Sequence, residues 1–582
     1  MKKRLAFFSV CLFVVTLSCG CTATVPQATT AAVEQQASAI SVSENVPVPM
    51  RDGVNLMANI FRPDEEGAYP VVVMRTPYGK GNAKNGEGRA FAENGYVYIV
   101  QDCRGRWPSE GRWYPGVNER NDGYDTHQWV LDQPWCNGSI GTTGGSYVGY
   151  TQWITAPDAG SYLKAMFTSV PLFDWYKDTA YVGGACHLAQ MMDWGVGMAV
   201  PPKGHPGIDW KKWKKDEAIR HLPLATWDEM IGFKVNYLRD WIAHPEFDSY
   251  WEQMRMTDKL DKVKAPNITI SGWYDIFVSQ AFENIERLKQ ESTAPQYMVV
   301  GPWPHGVKAK VGEIDFGKEA NLNRHYLQSN WFGHWLKGKD TDIDNWAPLR
   351  IFVMGTNKWR DEYEWPLART KFTPYYFHSN GNAKTAAGDG TLSTHEPAGE
   401  PADEYVYDPA NPVPTKGGCN LTIAAGPFNQ REIEKRRDVL VFTTDVLTGE
   451  LEVTGPVKTV LYAASSAPDT DFTAKLVDVY PDGRAMNICD GIIRARYHNQ
   501  GEAELIEPNK IYRYEIDLWP TSNVFLKGHR IRVEISSSNF PRFDRNPNTG
   551  HKFGADAQIV KANQQIYHDQ LHPSHILLPV IP

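Results

Sequence analysis

Gly144-Gly-Ser-Tyr-Val-Gly149 sets a serine between small residues, just after Gly138-Ser-Ile-Gly141, a stretch that reads as a short strand entry. Glycine on both sides permits a tight strand-to-helix turn with a strained backbone and close packing. Such a turn exposes the Ser146 hydroxyl at a sheet edge. It also leaves the N–H of Tyr147 at a helix N-terminus, free to bind a developing oxyanion. The second glycine falls one position later than in G-x-S-x-G, so a structural glycine-rich loop is the alternative reading of this motif alone. Downstream, Ile270-Ser-Gly-Trp-Tyr-Asp275 is an apolar strand ending in an acid, and Val299-Val-Gly-Pro-Trp-Pro-His305 is an apolar strand ending in a proline-stiffened loop with a histidine. A histidine held by a carboxylate can take the proton of a serine hydroxyl, which then attacks a carbonyl carbon. One histidine among sixteen has a structural or solvated role by default. Its place after an apolar strand, matched by Asp275, is what singles out His305. The order Ser146, Asp275, His305 is that of α/β-hydrolases, and strand ends along one edge of a parallel sheet converge on one crevice.

The elements that must position these residues are legible in outline. Val54 to Phe61, Pro70 to Met74 and Tyr96 to Val100 read as strands, and Asp122 to Gln133 has helical spacing with acids early. This alternation predicts a mostly parallel sheet covered on both faces. Residues 157–261 break the rhythm: rich in Trp, Met, Lys and Pro, with helical spacing from Ala225 to Ile242, they read as a helical cap inserted into the sheet domain. Strands return at Asn267 to Ser271 and Tyr297 to Val300, and helical spacing from Asn321 to Leu336 closes the domain. Beyond about 345, short alternating strands such as Lys458 to Ala463, Phe472 to Val479 and Arg530 to Ile535, separated by polar turns, predict a β-sandwich or jelly roll. The expected division is a signal segment at 1–21, a flexible tether at 22–44, a sheet domain at 45–156 and 262–345, the cap at 157–261, and an all-β domain at 346–582.

Composition excludes several functions. The 60 Lys and Arg against 68 Asp and Glu give a net charge of −8 with no long basic run beyond the extreme N-terminus, which argues against nucleic acid as a partner. Aromatic residues make up 12%, including 20 Trp, which suits bulky core packing or a ring-lined pocket. Lys2, Lys3 and Arg4 followed by the apolar run Leu5 to Leu17 resemble an export signal, too short to span a bilayer. The run ends in Ser18-Cys-Gly-Cys21, similar to a bacterial lipoprotein site with Cys21 lipidated. Processing at Cys19 and an ordinary cleaved signal are the alternatives. An exported protein of the bacterial envelope or periplasm is expected, touching membrane only through that anchor. Of eight cysteines, Cys103, Cys136, Cys186, Cys419 and Cys489 lie beyond the signal, and none pairs with CxxC spacing, so no metal or redox centre is expected. A disulfide is permitted in that compartment, with its pairing open.

Arg75-Thr-Pro-Tyr78, Asp102-Cys-Arg-Gly105, Ser109-Glu-Gly111, Gly145-Ser-Tyr147, Gly272-Trp-Tyr-Asp275 and Gly301-Pro-Trp-Pro-His305 together resemble the cocaine esterase and X-prolyl dipeptidyl-peptidase-like (CocE/NonD) family of serine hydrolases. Ala467 to Phe472 and Ser536 to Phe543 extend the resemblance into the β-rich part, so that it covers about 45–582. It implies an α/β-hydrolase domain, a helical cap after the nucleophile, and an all-β, galactose-binding-like jelly roll. It also implies that the Tyr78 hydroxyl joins the Tyr147 N–H as an oxyanion donor, and that Phe277 and Trp194 line a substrate acyl pocket, cap packing being the alternative for Trp194. Members that act on α-amino-acid esters carry carboxylates just after the triad acid. Here Ile276-Phe-Val278 is apolar, which counts against an ammonium site there and leaves Asp174, Asp178 and Asp193 of the cap as other candidates, or as a solvated surface. The resulting expectation is hydrolysis of a small acyl substrate through an acyl-enzyme, esters first and amides or Xaa-Pro peptides second, with no cofactor. A non-catalytic glycan binder is the alternative from another class.

Overall fold

A computed structural model describes residues 39–200, 215–499 and 501–582, and residues 39–582 belong to one compact unit. Ten strands build its principal sheet: β1 (Ile40–Pro49), β2 (Asn55–Pro63), β3 (Tyr69–Thr76), β4 (Val97–Asp102), β5 (Cys136–Gly145), β6 (Leu163–Ser169), β7 (Asn267–Gly272), β8 (Gln296–Gly301), β9 (Leu349–Val353) and β10 (Lys358–Glu362). Their order is β1-β2-β4-β3-β5-β6-β7-β8-β9-β10. From β4 to β9 all neighbours run parallel, while β1, β2 and β10 are antiparallel additions at the margins. Val71 and Val73 face one apolar core and Val72 the other, so the sheet is buried on both faces as a parallel sheet requires. Helices α1 (Gly86–Glu93), α2 (Glu119–Leu131), α3 (Tyr147–Thr155), α4 (Val278–Glu291) and α5 (Arg324–Lys337) connect the strands. Side-chain caps fix two helix starts: Asn85 accepts from Gly88 N at 3.0 Å, and Asn323 from Tyr326 N at 3.0 Å.

Several expected boundaries are corrected. The tether does not reach 44: Ile40, Val42, Val46 and Val48 alternate along β1, which pairs with β2 from Ile40↔Pro63 to Pro49↔Asn55. Residues 1–38, with Cys19, Cys21 and the remainder of the tether, lie outside the described residues. The cap does not begin at 157, because Leu163–Ser169 is β6, hydrogen-bonded between β5 and β7 at the centre of the sheet. The sheet domain does not end at 345, because β9 pairs in parallel with β8 and turns back into β10. The helical stretch from Ala225 to Ile242 is two pieces, a 3-10 segment Leu224–Ile231 and a helix Asn236–Ala243, parted where Gly232 adopts φ +79°.

Residues 371–581 form an eleven-stranded, almost wholly antiparallel jelly-roll domain, with Leu451–Ser465 and Tyr512–Phe525 as its longest pair. Its interior holds a charged cluster. His568, fully buried, meets Asp403 at 3.0 Å through Nε2 and Glu400 at 3.2 Å through Nδ1. Burial disfavours the imidazolium, but the two carboxylates outweigh it and raise the His568 pKa above that of a free imidazole. A raised folded-state pKa contributes stability below the unfolded value of about 6.5, lost as pH rises through the folded value. Urea midpoints should therefore fall with rising pH more steeply in the wild type than in His568→Gln. Parallel curves would assign the pH dependence elsewhere.

Candidate active site

The residues singled out by the sequence stand beyond the C-terminal ends of parallel strands. Tyr78 follows β3, Ser146 follows β5, Asp275 follows β7 and His305 follows β8. Ser146 stands at φ 59°, ψ −128°, a strained conformation for a residue with a side chain, between the last residue of β5 and the first of α3. The flanking glycines explain how the turn closes. Gly144 has φ +136°, and a Cβ there would lie 2.1 Å from a Val148 methyl. A Cβ on Gly149 would lie 2.7 Å from Pro171, so the later glycine serves the close approach of α3 to the loop after β6. Ser146 N–H donates to Ser169 O at 2.9 Å, and its own carbonyl accepts from Gly149 and Tyr150, starting the helix.

Asp275 is fully buried, and its Oδ2 accepts from His305 Nδ1 at 2.5 Å while Oδ1 accepts from Phe277 N at 2.9 Å. The backbones of the two loops are stitched together: Trp273 N donates to Gly301 O at 2.8 Å and Tyr274 N to Trp303 O at 2.9 Å. With Nδ1–H committed to the carboxylate, Nε2 is left as the acceptor. That atom is buried and without a hydrogen-bond partner among the described residues. The Phe277 ring packs edge-on against the imidazole at 5.4 Å and 80°.

Tyr78 is exposed over 43% of its surface. Its hydroxyl accepts from the indole N–H of Trp194 at 3.2 Å. Burial raises the phenol above its ordinary pKa, and the neighbouring Trp194 and Ser146 side chains oppose the rise. Tyr147 begins α3, so its N–H is among the donors a helix leaves unpaired.

Residues that the sequence reading passed over hold this arrangement in place. The Tyr147 hydroxyl donates to Glu119 Oε1 at 2.8 Å, and Glu119 Oε2 pairs with Arg75 at 2.7 Å, both side chains almost wholly buried. Arg75 also donates to Gln101 at 3.1 Å. Arg106 donates to Pro77 O and to Met198 O, each at 2.9 Å, tying the Tyr78 loop to the cap. Lys80 pairs with Asp102 at 2.9 Å on the other side of that loop. Arg75, Asp102 and the neighbouring Arg104 were visible as motif residues, but Glu119 reads as an ordinary acid in a first helical turn.

The cap acids are not a solvated surface. Asp174 caps a helical turn through Tyr176 N at 2.8 Å, and Asp178 Oδ2 accepts from Phe173 N at 2.6 Å and Asp174 N at 2.9 Å. Asp193 is half-buried. Cys103, Cys136, Cys186, Cys419 and Cys489 are all free thiols.

Residues 52–307 match the X-Pro dipeptidyl-peptidase (S15 family), and residues 341–577 match the X-Pro dipeptidyl-peptidase C-terminal non-catalytic domain. The chain is 39% identical over 569 residues to the cocaine esterase of Rhodococcus sp. (strain MB1 Bresler), covering 93% of this chain and 99% of that one. The chain belongs to the CocE/NonD family of serine hydrolases. Among solved structures it is similar to an aminopeptidase from a marine sediment Thaumarchaeota archaeon, at 26% identity and a TM-score of 0.81 over 96% of this chain and 99% of that one. It is also similar to an α-amino acid ester hydrolase, at 25% identity and a TM-score of 0.79 over 96% and 100%. Relatives bearing hydrolase names make this chain a hydrolase and leave the glycan-binder reading without support. In this CocE/NonD chain the ion pair beneath the Ser146 turn has a testable weight. Glu119→Ala strands the Arg75 guanidinium in the interior, so urea denaturation should show a loss of about 3–5 kcal/mol. Glu119→Gln, which keeps an acceptor for Tyr147, should lose less.

Proposed function

We propose that the protein hydrolyses carboxylic esters through Ser146, His305 and Asp275. The observation that carries this reading is the buried Asp275–His305 contact of 2.5 Å, with Nε2 left as the acceptor and Ser146 at the turn into α3. His305 Nε2 takes the proton of Ser146 as its oxygen attacks the substrate carbonyl, and Asp275 supports the imidazolium that forms. The Tyr147 N–H and the Tyr78 hydroxyl stabilise the oxyanion. His305 then protonates the departing alkoxide, and a water that it activates releases the acyl group from Ser146. The Phe277 ring, edge-on to the imidazole, forms a wall beside the reacting atoms.

Esters are favoured over N-terminal dipeptides by the surroundings of the acid. Capture of a free amino terminus calls for an anionic partner, yet Ile276, Phe277 and Val278 are apolar and buried. Among the described residues one oxygen of Asp178 has no hydrogen-bond partner, but burial pushes its carboxyl well above the usual carboxylate range and disfavours the charged form an ammonium needs.

The test is a panel of p-nitrophenyl esters and Xaa-Pro-nitroanilides. Ester hydrolysis should fall on the order of 10⁶-fold in kcat in Ser146→Ala, and Tyr78→Phe should lower kcat by about 10²–10³. Cleavage of the nitroanilides in preference to esters would transfer the protein to the peptidase branch. Equal activity in wild type and Ser146→Ala would remove Ser146 from the mechanism.

We propose likewise that the N-terminal segment directs export and that Cys21 carries a lipid anchor. Radiolabelled palmitate incorporated into the wild type and lost in Cys21→Ser would support them; no incorporation would favour a cleaved signal.

A further inference from the structure

Trp194 touches both residues assigned to the oxyanion hole. Its indole N–H donates to the Tyr78 hydroxyl at 3.2 Å, and its ring stacks on that of Tyr147 at 6.1 Å and 23°. The residue belongs to a π-helical turn of the cap, Met191–Gly195, a wide turn often found at functional positions. That turn is anchored from two directions. Tyr237 donates its hydroxyl proton to Gly195 O, and the Trp194 ring lies against buried Trp175 at 5.6 Å. Arg106, buried and stacked over Trp113 at 5.3 Å, spans from Pro77 O to Met198 O, so the loop carrying Tyr78 and the cap segment carrying Trp194 share one strut.

The donor inventory then fixes a direction. An indole N–H donates and cannot accept, whereas a phenol has one proton to donate and lone pairs to accept with. When Trp194 occupies a lone pair of the Tyr78 oxygen, the phenolic proton is turned away from the indole, and the Ser146 side chain is near enough to act on the phenol. We propose that Trp194 is a positioning residue for the oxyanion hole, its indole N–H turning the Tyr78 hydroxyl to donate toward the reacting centre while its ring braces Tyr147. The acyl-pocket role implied by the family resemblance would make Trp194 a wall for substrate. The positioning role instead makes the cap part of the machinery that stabilises the oxyanion. This inference rests on the ester-hydrolase reading and on Tyr78 as a donor.

The two roles separate in a double-mutant cycle on one p-nitrophenyl ester, using Trp194→Phe, Tyr78→Phe and the double variant. Phenylalanine retains a stacking ring and removes only the donor. Trp194→Phe should lower kcat by about fivefold to tenfold, the worth of one neutral hydrogen bond, with KM little changed. In the Tyr78→Phe background the same change should have no further effect on kcat, because there is no hydroxyl left to orient. Trp194→His, which restores a ring N–H, should recover part of the loss. A multiplicative effect in the double variant, or a loss confined to KM, would overturn the proposal in favour of a substrate wall. Full activity in Tyr78→Phe alone would instead overturn the oxyanion assignment beneath it, and circular dichroism of each variant would exclude loss of the fold.

Discussion

A single backbone conformation constrains the middle of this molecule. Ser146 sits at φ 59°, ψ −128°, where a residue with a side chain costs about 1–3 kcal/mol, so the surroundings must over-determine it. They do so from several sides. Ser169 at the end of β6 accepts the Ser146 N–H, α3 begins on the Ser146 carbonyl, and two glycines remove the side chains that would collide. Beneath the turn, Tyr147 is tied through Glu119 and Arg75 to Gln101, reaching β3 and β4. The order β4-β3-β5-β6 follows from this need: the strained turn is gripped by neighbours on both sides, which only an interior strand has.

The acid and histidine arrive by a different route, and here the jelly roll is part of the support. The two residues before Asp275 are held from outside their own strand. Trp273 Nε1 donates to Phe352 O at 2.7 Å, Cys419 Sγ lies 3.4 Å from Trp273 O, and the Tyr274 hydroxyl donates to Asn487 O at 3.3 Å. Two of these three contacts come from the C-terminal domain. Asp275 is thereby held in the direction that meets His305. The same domain reaches the cap, where Asp544 accepts from Cys186 N at 2.7 Å. The C-terminal domain thus braces both the loop carrying Asp275 and the cap.

Much of this was legible in the sequence because parallel strands leave a plain signal. Pro70 to Met74, Asn267 to Ser271 and Tyr297 to Val300 are short apolar runs ending in loops, and the loops carry Tyr78, Asp275 and His305. β6 was missed for a physical reason. Leu163-Lys-Ala-Met-Phe-Thr-Ser169 is brief and bears an exposed lysine near its start, and apolar periodicity over so few residues does not separate strand from helix. β1 was missed because its alternation begins directly after an Ala-, Thr- and Gln-rich stretch. Glu119 could not be found, since its partners Arg75 and Tyr147 are 44 and 28 residues away in the chain. Only the sheet brings them together.

The aromatic surplus has the same lesson in another form. Trp153, Trp175, Trp227, Trp241, Trp251, Trp273, Trp303 and Trp331 are fully buried, and their role is core packing. Others are half-buried, among them Trp194 at the seam between cap and sheet domain, beside the partly exposed Tyr78. Apolar packing is continuous across that seam, where Tyr147 and Tyr150 of α3 meet Trp175 of the cap. Directional contacts span it as well: the Trp194–Tyr78 hydrogen bond and the Arg106 strut. Directional contacts specify geometry without filling the space that a ligand needs.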